Sequence, residues 1–251
     1  MPPKSYSQLP GHGLSKTKVD VSGERLRKWW FQGPQDALDH DKQLQDAAAT
    51  LFAFRVLFEY PLTKVTNGLR RFVAAESPSL QAASVGQRLK RAPQIIDKLS
   101  RQPNMRLSQM QDIGGARAVL PGGASEVAAV LRRIQKNWEI HHERDLVADP
   151  APTGYRAIHV VVVCDGRLIE VQLRTPNQHA WAEAVEKMDA GMRTELKEGA
   201  GPEEGLRLFR LAAEGMALED SGQVADNALI KKFQQAQRDL QAHFDRLDRK
   251  D

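Results

Sequence analysis

The stretch AIHVVVVCDGRLIEVQLRT, residues 157–175, constrains the fold more than any other part of the chain. Two runs rich in Val, Ile and Leu flank Asp165-Gly166, a pair that accepts the positive φ angles of a two-residue turn, so the segment is predicted to be a β-hairpin. On its second strand Glu170, Gln172 and Arg174 alternate and therefore share one face. A shorter β run, 116–120, comes just after Asp112 and Gly114-Gly115. An acidic residue thus stands on or beside each of two strand-like runs, with the loop segment TGYRAIH between them in sequence.

Taken singly, each acid has an ordinary explanation. An Asp before a strand is commonly a turn residue, and a Glu within one commonly faces solvent. Taken together with the arginines on the same strands, they match the way a protein holds Mg²⁺ over a polyphosphate and stabilises a transferring phosphoryl group.

Residues 1–20, where Pro, Gly, Ser and Lys dominate, read as a flexible basic arm. Apolar residues at helical spacing follow over 24–30, 35–58 and, after Pro61, 62–75, which gives an N-terminal helical segment over 21–83. Trp29 and Trp30 read as core or interface anchors. A helix is also expected over 85–99, with Pro93 marking a start or a kink. After the strand at 116–120, PGG makes a turn, SEVAAVLRRIQKNW has amphipathic spacing, and a helix over 177–188 follows the hairpin. These pieces define a core over 84–200. In the remaining segment, 201–251, Leu229, Phe233, Ala236, Leu240, Phe244 and Leu247 recur at near-heptad intervals and predict a helix with one apolar seam. That seam is expected to pack on its own domain, with self-association or a partner helix as the alternative.

At 41% hydrophobic and 27% charged over 251 residues, the chain can build one large domain with helical extensions. The single cysteine, Cys164, excludes a disulfide framework and reads as a buried structural thiol. The basic, polar start has no continuous apolar stretch, so neither a secretory signal nor a membrane span is expected, and the protein is placed in the cytoplasm. A net charge of +4 allows polyanionic partners without requiring them. Neither Cys164 nor His141-His142 has a partner at zinc-site spacing, and no GxxxxGK(S/T) loop is present to hold ATP in the P-loop manner.

The ordered series QRLKRAPQIIDKL, QDIGGARAVL, ERDLVADPAPTGYRAIH, IEVQLRT and HAWAEAVE resembles the synthetase domain of the RelA/SpoT family, over roughly residues 84–190. The resemblance implies an α+β domain on a mixed five-stranded sheet flanked by helices, similar to nucleotidyltransferase-like folds, with helical extensions at both ends. It also implies Mg²⁺-dependent transfer of the β,γ-pyrophosphate of ATP to a ribose 3′-hydroxyl, usually of GDP or GTP. Asp112 and Glu170 match the magnesium-binding positions, and Glu170 matches the catalytic glutamate. Arg88, Lys90, Lys98 and Arg117 match ATP-binding positions, the arginines stacking on adenine and the lysines contacting phosphates. Alone, that basic segment is a solvated face; as one helix it would place Arg88 and Lys98 about three turns apart, with Lys90 on another side. Tyr155 matches a tyrosine that stacks on the acceptor base, and Arg144, Arg156 and His159 also match. Gln172 and Arg174 look like the floor of the same acceptor site.

Four positions depart from the family pattern. Leu146 stands where a tyrosine is usual, Ala151 where a lysine often contacts acceptor phosphates, Thr153 where asparagine is frequent, and Gln94 where serine is common. The length leaves no room for the hydrolase and regulatory modules of the long relatives, so a small stand-alone synthetase is expected. Two rivals stay open. One is the family's toxin branch, which makes adenine alarmones or modifies the tRNA 3′ end and is paired with an antitoxin; the altered loop and basic arm favour it. The other is a catalytically silent nucleotide-sensing or partner-binding module, against which the retention of both carboxylates speaks.

Overall fold

The computed structural model describes residues 14–32, 37–77, 83–192, 194 and 196–247. The predicted hairpin is present: β4 (Ile158–Cys164) and β5 (Arg167–Arg174) pair antiparallel with Val160 opposite Val171. Both turn residues have positive φ, 48° at Asp165 and 72° at Gly166, as a type I′ turn requires. Three further strands, β1 (Ser84–Leu89), β2 (Gly114–Val119) and β3 (Ile140–Asp145), complete a five-stranded sheet of order β1-β2-β5-β4-β3. β2 runs parallel to β5 and the other neighbouring strands are antiparallel, so the sheet is mixed as expected.

Strand alternation divides the sheet into two chemically different faces. Ala116, Ala118, Ile158, Val160, Val162, Ile169, Val171 and Leu173 lie on one face, none more than 6% exposed. Helices α4 (Glu59–Glu76) and α6 (Gly123–Asn137) cover them. Each such aliphatic side chain contributes about 1.5–3 kcal/mol on burial, so this face supplies most of the hydrophobic stabilisation of the sheet. The other face is left to polar side chains, and the functional candidates lie there.

The helix expected over 85–99 is corrected. Residues 84–89 form β1, and the helix α5 (Ala92–Arg101) begins only after a turn at Lys90-Arg91. Pro93 lies in the first turn of α5, the place where a missing N–H and a fixed φ are harmless, and its ring prevents the helix from extending backwards. Arg88 and Lys98 therefore belong to different elements and are not spaced along one helix.

The remaining helices need smaller adjustments. α1 (Lys16–Gln32) begins within the stretch read as an arm, while residues 1–13 lie outside the described residues. The run at 35–58 is two helices, α2 (Ala37–His40) and α3 (Lys42–Val56), separated by Asp41, whose carboxylate caps α3 through the N–H groups of Gln43 and Leu44. α1 packs on α3 and α5 at the N-terminal side of the sheet domain. Trp29 packs against the main core, whereas Trp30 is 42% exposed.

After β5 come α7 (Pro176–Met192), α8 (Glu203–Asp220) and α9 (Asn227–Leu247). The apolar seam of α9 is real: Leu229, Ala236 and Leu240 are buried, and the helix packs on α8. Arg207 pairs with Asp239 and Arg246 with Glu204 across this helical hairpin, so the seam faces its own chain. A second hydrophobic cluster joins Leu146, Tyr155 and Ala157 to Trp181, Leu196, Phe209 and Ala213, tying the loop before β4 to α7 and α8. Among the described residues no helix is long and apolar enough to cross a membrane.

Candidate active site

Strand register lines up the polar face. Gly86, Arg117, Gln172, His159 and Arg144 form one row across β1, β2, β5, β4 and β3. Arg88, Gly115 and Glu170 form the next row, two residues along. The paired glycines separate by function. Gly114 faces the core, where a Cβ would lie 2.8 Å from Ile169 Cδ1, so its role is close packing of β2 on the helices. Gly115 is on the polar face beside Glu170, where a Cβ would meet only the Arg88 carbonyl at 3.8 Å, so open space lies there.

Asp112 lies in the turn before β2 and is held by two cations. Lys90 Nζ, from the end of β1, and Lys98 Nζ, from α5, each approach Asp112 Oδ2 at 2.8 Å. Burial pushes the Asp112 carboxyl up, but Lys98 and Lys90 outweigh it and hold the carboxyl below the usual aspartate range. Oδ1 of the same carboxylate is buried without a hydrogen-bond partner.

Glu170, on β5, is clamped at both oxygens. His159 Nδ1 lies 3.0 Å from Oε1, and Gln172 Nε2 donates to Oε2 at 2.7 Å. Arg174 Nη2 donates to Gln172 Oε1 at 2.6 Å and to the Tyr155 hydroxyl at 2.8 Å, and that hydroxyl is 2.8 Å from His159 Nε2. Burial pushes the Glu170 carboxyl up; the hydrogen bonds from His159 and Gln172 help pull it down further, leaving it below the ordinary glutamate value. The charge of Asp112 works against ionisation of Glu170 without reversing that direction.

Most of the residues singled out in the sequence meet on this face. Arg117 is half-buried beneath the charges of Arg174, Glu183, Glu186 and Arg88, and burial pushes its guanidinium down. Arg144 is exposed on the edge strand, opposite His159. Arg156 leaves the group: its Nη1 donates to the carbonyls of Gly154 and Ala213, which fastens the loop to α8. Tyr155 is 6% exposed, with Trp181 at 5.9 Å between ring centroids and Lys197 Nζ 5.0 Å from its centroid. Three polar groups near the site escaped the sequence reading. Glu183 and Glu186 follow His179 at i+4 and i+7 on α7, a spacing that puts all three on one side, and Lys197 pairs with Glu186 at 3.0 Å.

Residues 87–190, which contain both carboxylates and both cation sets, match the family model described as the region found in RelA/SpoT proteins. An uncharacterized protein of Mycobacterium tuberculosis is 30% identical over 119 residues, 45% of this chain and 42% of that protein. The GTP pyrophosphokinase YjbM of Bacillus subtilis is 28% identical over 128 residues, 46% of this chain and 60% of that enzyme. The chain therefore spans well under two thirds of the length of these curated relatives. Among solved structures, small alarmone synthetase 1 from Bacillus subtilis bound to its product pppGpp superimposes with a TM-score of 0.56 at 22% identity, covering 67% of this chain and 92% of that one. A GTP pyrophosphokinase family protein from Streptococcus pneumoniae gives a TM-score of 0.53 at 23% identity, over 70% and 95%. These structures share the mixed five-stranded sheet and flanking helices seen here.

The polar face fits Mg²⁺ by its donor set. Among the described residues there is no cluster of three or more His, Cys, Asp or Glu side chains, so an all-protein cage is not what this face offers. Mg²⁺ is commonly held by one or two carboxylates, with water and substrate phosphates as the remaining ligands. Asp112 Oδ1, buried, acceptor-only and without a partner, is an oxygen that such a cation would satisfy.

Proposed function

We propose that the protein is a Mg²⁺-dependent pyrophosphokinase that transfers the β,γ-pyrophosphate of ATP to the 3′-hydroxyl of GDP or GTP. The observation that carries this reading is the pair of carboxylates on the adjoining parallel strands, Asp112 just before β2 and Glu170 on β5 opposite Gly115, each with its own separate set of partners. Asp112 sits among Lys90 and Lys98, cations of the kind that hold phosphates, and Glu170 sits in a neutral clamp of His159 and Gln172 that keeps it ionised. One side is suited to the donor and the other to the acceptor hydroxyl. In the reaction the acceptor 3′-oxygen forms a bond to the β-phosphorus, the bond from that phosphorus to the α-phosphate oxygen breaks, AMP leaves, and the hydroxyl proton passes to Glu170. Asp112 and Glu170 would hold Mg²⁺, which would supply charge stabilisation on the transferring group. Positioning by Lys90, Lys98, Arg88 and Arg117 supplies the rest, because this transfer depends mainly on geometry and charge.

Two of the departures in the acceptor loop, Leu146 and Ala151, have a structural reason. Leu146 and Ala151 pack with Tyr155, Leu196 and Phe209 in the second hydrophobic cluster. Their apolar character follows from the docking of α8, so it is no longer an argument for a different acceptor. Labelled γ-phosphate from ATP, offered in parallel to GDP, GTP, adenine nucleotides and bulk tRNA, should appear on the guanine nucleotides. Labelling of tRNA alone would overturn the acceptor assignment, and no labelling of any acceptor would return the chain to the class of silent binding modules.

A second expectation concerns the donor. Arg88→Ala, Lys98→Ala and Arg117→Ala should each weaken binding of a non-hydrolysable ATP analogue by about 1.5–3 kcal/mol, roughly tenfold or more, through loss of a charge-assisted contact. Acceptor choice should not change. Unchanged affinity in all three variants would make this set a solvated basic face.

A further inference from the structure

The five side chains at Glu170 form a closed hydrogen-bonded ring with a direction. A guanidinium has no acceptor, so Arg174 donates at both of its contacts in the ring, to the Tyr155 hydroxyl oxygen and to Gln172 Oε1. The Tyr155 hydroxyl is buried and its other partner, Arg174, can only donate, so among its described partners the group able to accept its proton is His159 Nε2, 2.8 Å away. Nε2 is then the acceptor nitrogen, and the imidazole proton resides on Nδ1, where it is donated to Glu170 Oε1. In the other arm the Gln172 oxygen must face Arg174, which turns its amide N–H toward Glu170 Oε2. Both arms run from the same cation to the same carboxylate.

We propose that Tyr155 and Arg174 are positioning residues for Glu170: the Tyr155 hydroxyl selects the His159 tautomer that donates to the carboxylate, and Arg174 anchors both arms. The inference rests on the reading of Glu170 as the group facing the acceptor hydroxyl, and it gives Tyr155 a role separate from any stacking of its ring. Packing against Trp181 holds the ring in place whether or not the hydroxyl is present, so the two roles can be separated by removing one oxygen atom.

The test uses Tyr155→Phe in the full chain. Loss of an outer partner of a catalytic group typically costs 10–100-fold, so kcat for pyrophosphate transfer should fall by about that factor while the acceptor KM stays within about twofold. His159→Asn keeps an N–H donor close to the Nδ1 position and should retain more kcat than His159→Ala. An independent readout is the ¹⁵N spectrum of the imidazole, which should show the neutral Nδ1–H tautomer of His159 in the wild type and its loss in Tyr155→Phe. Unchanged kcat in Tyr155→Phe, or an Nε2–H tautomer in the wild type, would overturn the proposal. If the wild type transfers no pyrophosphate to any acceptor, the reading of Glu170 fails, and the tautomer measurement still decides whether the ring is wired as proposed.

Discussion

Glu170→Gln is expected to lower kcat on the order of 10³-fold or more, because it removes the charge that would hold Mg²⁺ and receive the hydroxyl proton while leaving the size of the side chain unchanged. The fold should survive. The new amide has one acceptor oxygen where the carboxylate had two, so it can accept from His159 or from Gln172 but not from both. One hydrogen bond of the ring is lost, at a cost of about 1 kcal/mol. Thermal unfolding should therefore shift down by no more than about 4 °C in a chain of this size. Turnover near that of the wild type would show that Glu170 is not at the reacting centre.

Gly154→Val should have the largest effect on stability. Gly154 has φ of +92°, in the region that a β-branched residue avoids, and a Cβ there would lie 2.7 Å from Ala213 Cβ and 3.3 Å from Arg210 Cα, both on α8. The same junction carries the Arg156 bond to the Ala213 carbonyl and the Trp181 Nε1 bond to the Phe209 carbonyl. Strain and overlap together should cost about 3 kcal/mol or more, which lowers the unfolding midpoint by roughly 6–12 °C. Gly123→Ala is the control, since Gly123 has φ of +69° but open space around its Cβ position, and it should lose only about 1 kcal/mol. Equal midpoints for the two variants would mean that α8 does not dock on the loop containing Tyr155.

The hairpin was legible because its turn chemistry and its alternation agree: Asp165-Gly166 dictates the turn, and Glu170, Gln172 and Arg174 alternate with buried aliphatic residues. The positions of Asp112 and Glu170 followed from the same local pattern. β1 was not legible because SVGQRL is an exposed edge strand, whose buried side is too small to impose a period of two, and the neighbouring helical pattern ran into it. The closed ring around Glu170 was also beyond sequence reading. Gln172 and Arg174 were placed on the right face, but that Arg174 reaches Tyr155 depends on how the loop before β4 folds under α8, a contact between residues far apart in the chain. Lys197 and Glu186 escaped for the same reason, being brought to Tyr155 by tertiary packing.

The most direct measurement of the central claim is the fate of the adenine nucleotide. ATP and GDP incubated with the protein and Mg²⁺ should yield AMP in amount equal to the guanosine product, with both the β- and γ-phosphates of ATP carried on the 3′-oxygen. Glu170→Gln should give neither. Release of ADP with a single phosphate on the acceptor, or AMP formation that continues in Glu170→Gln, would contradict the account.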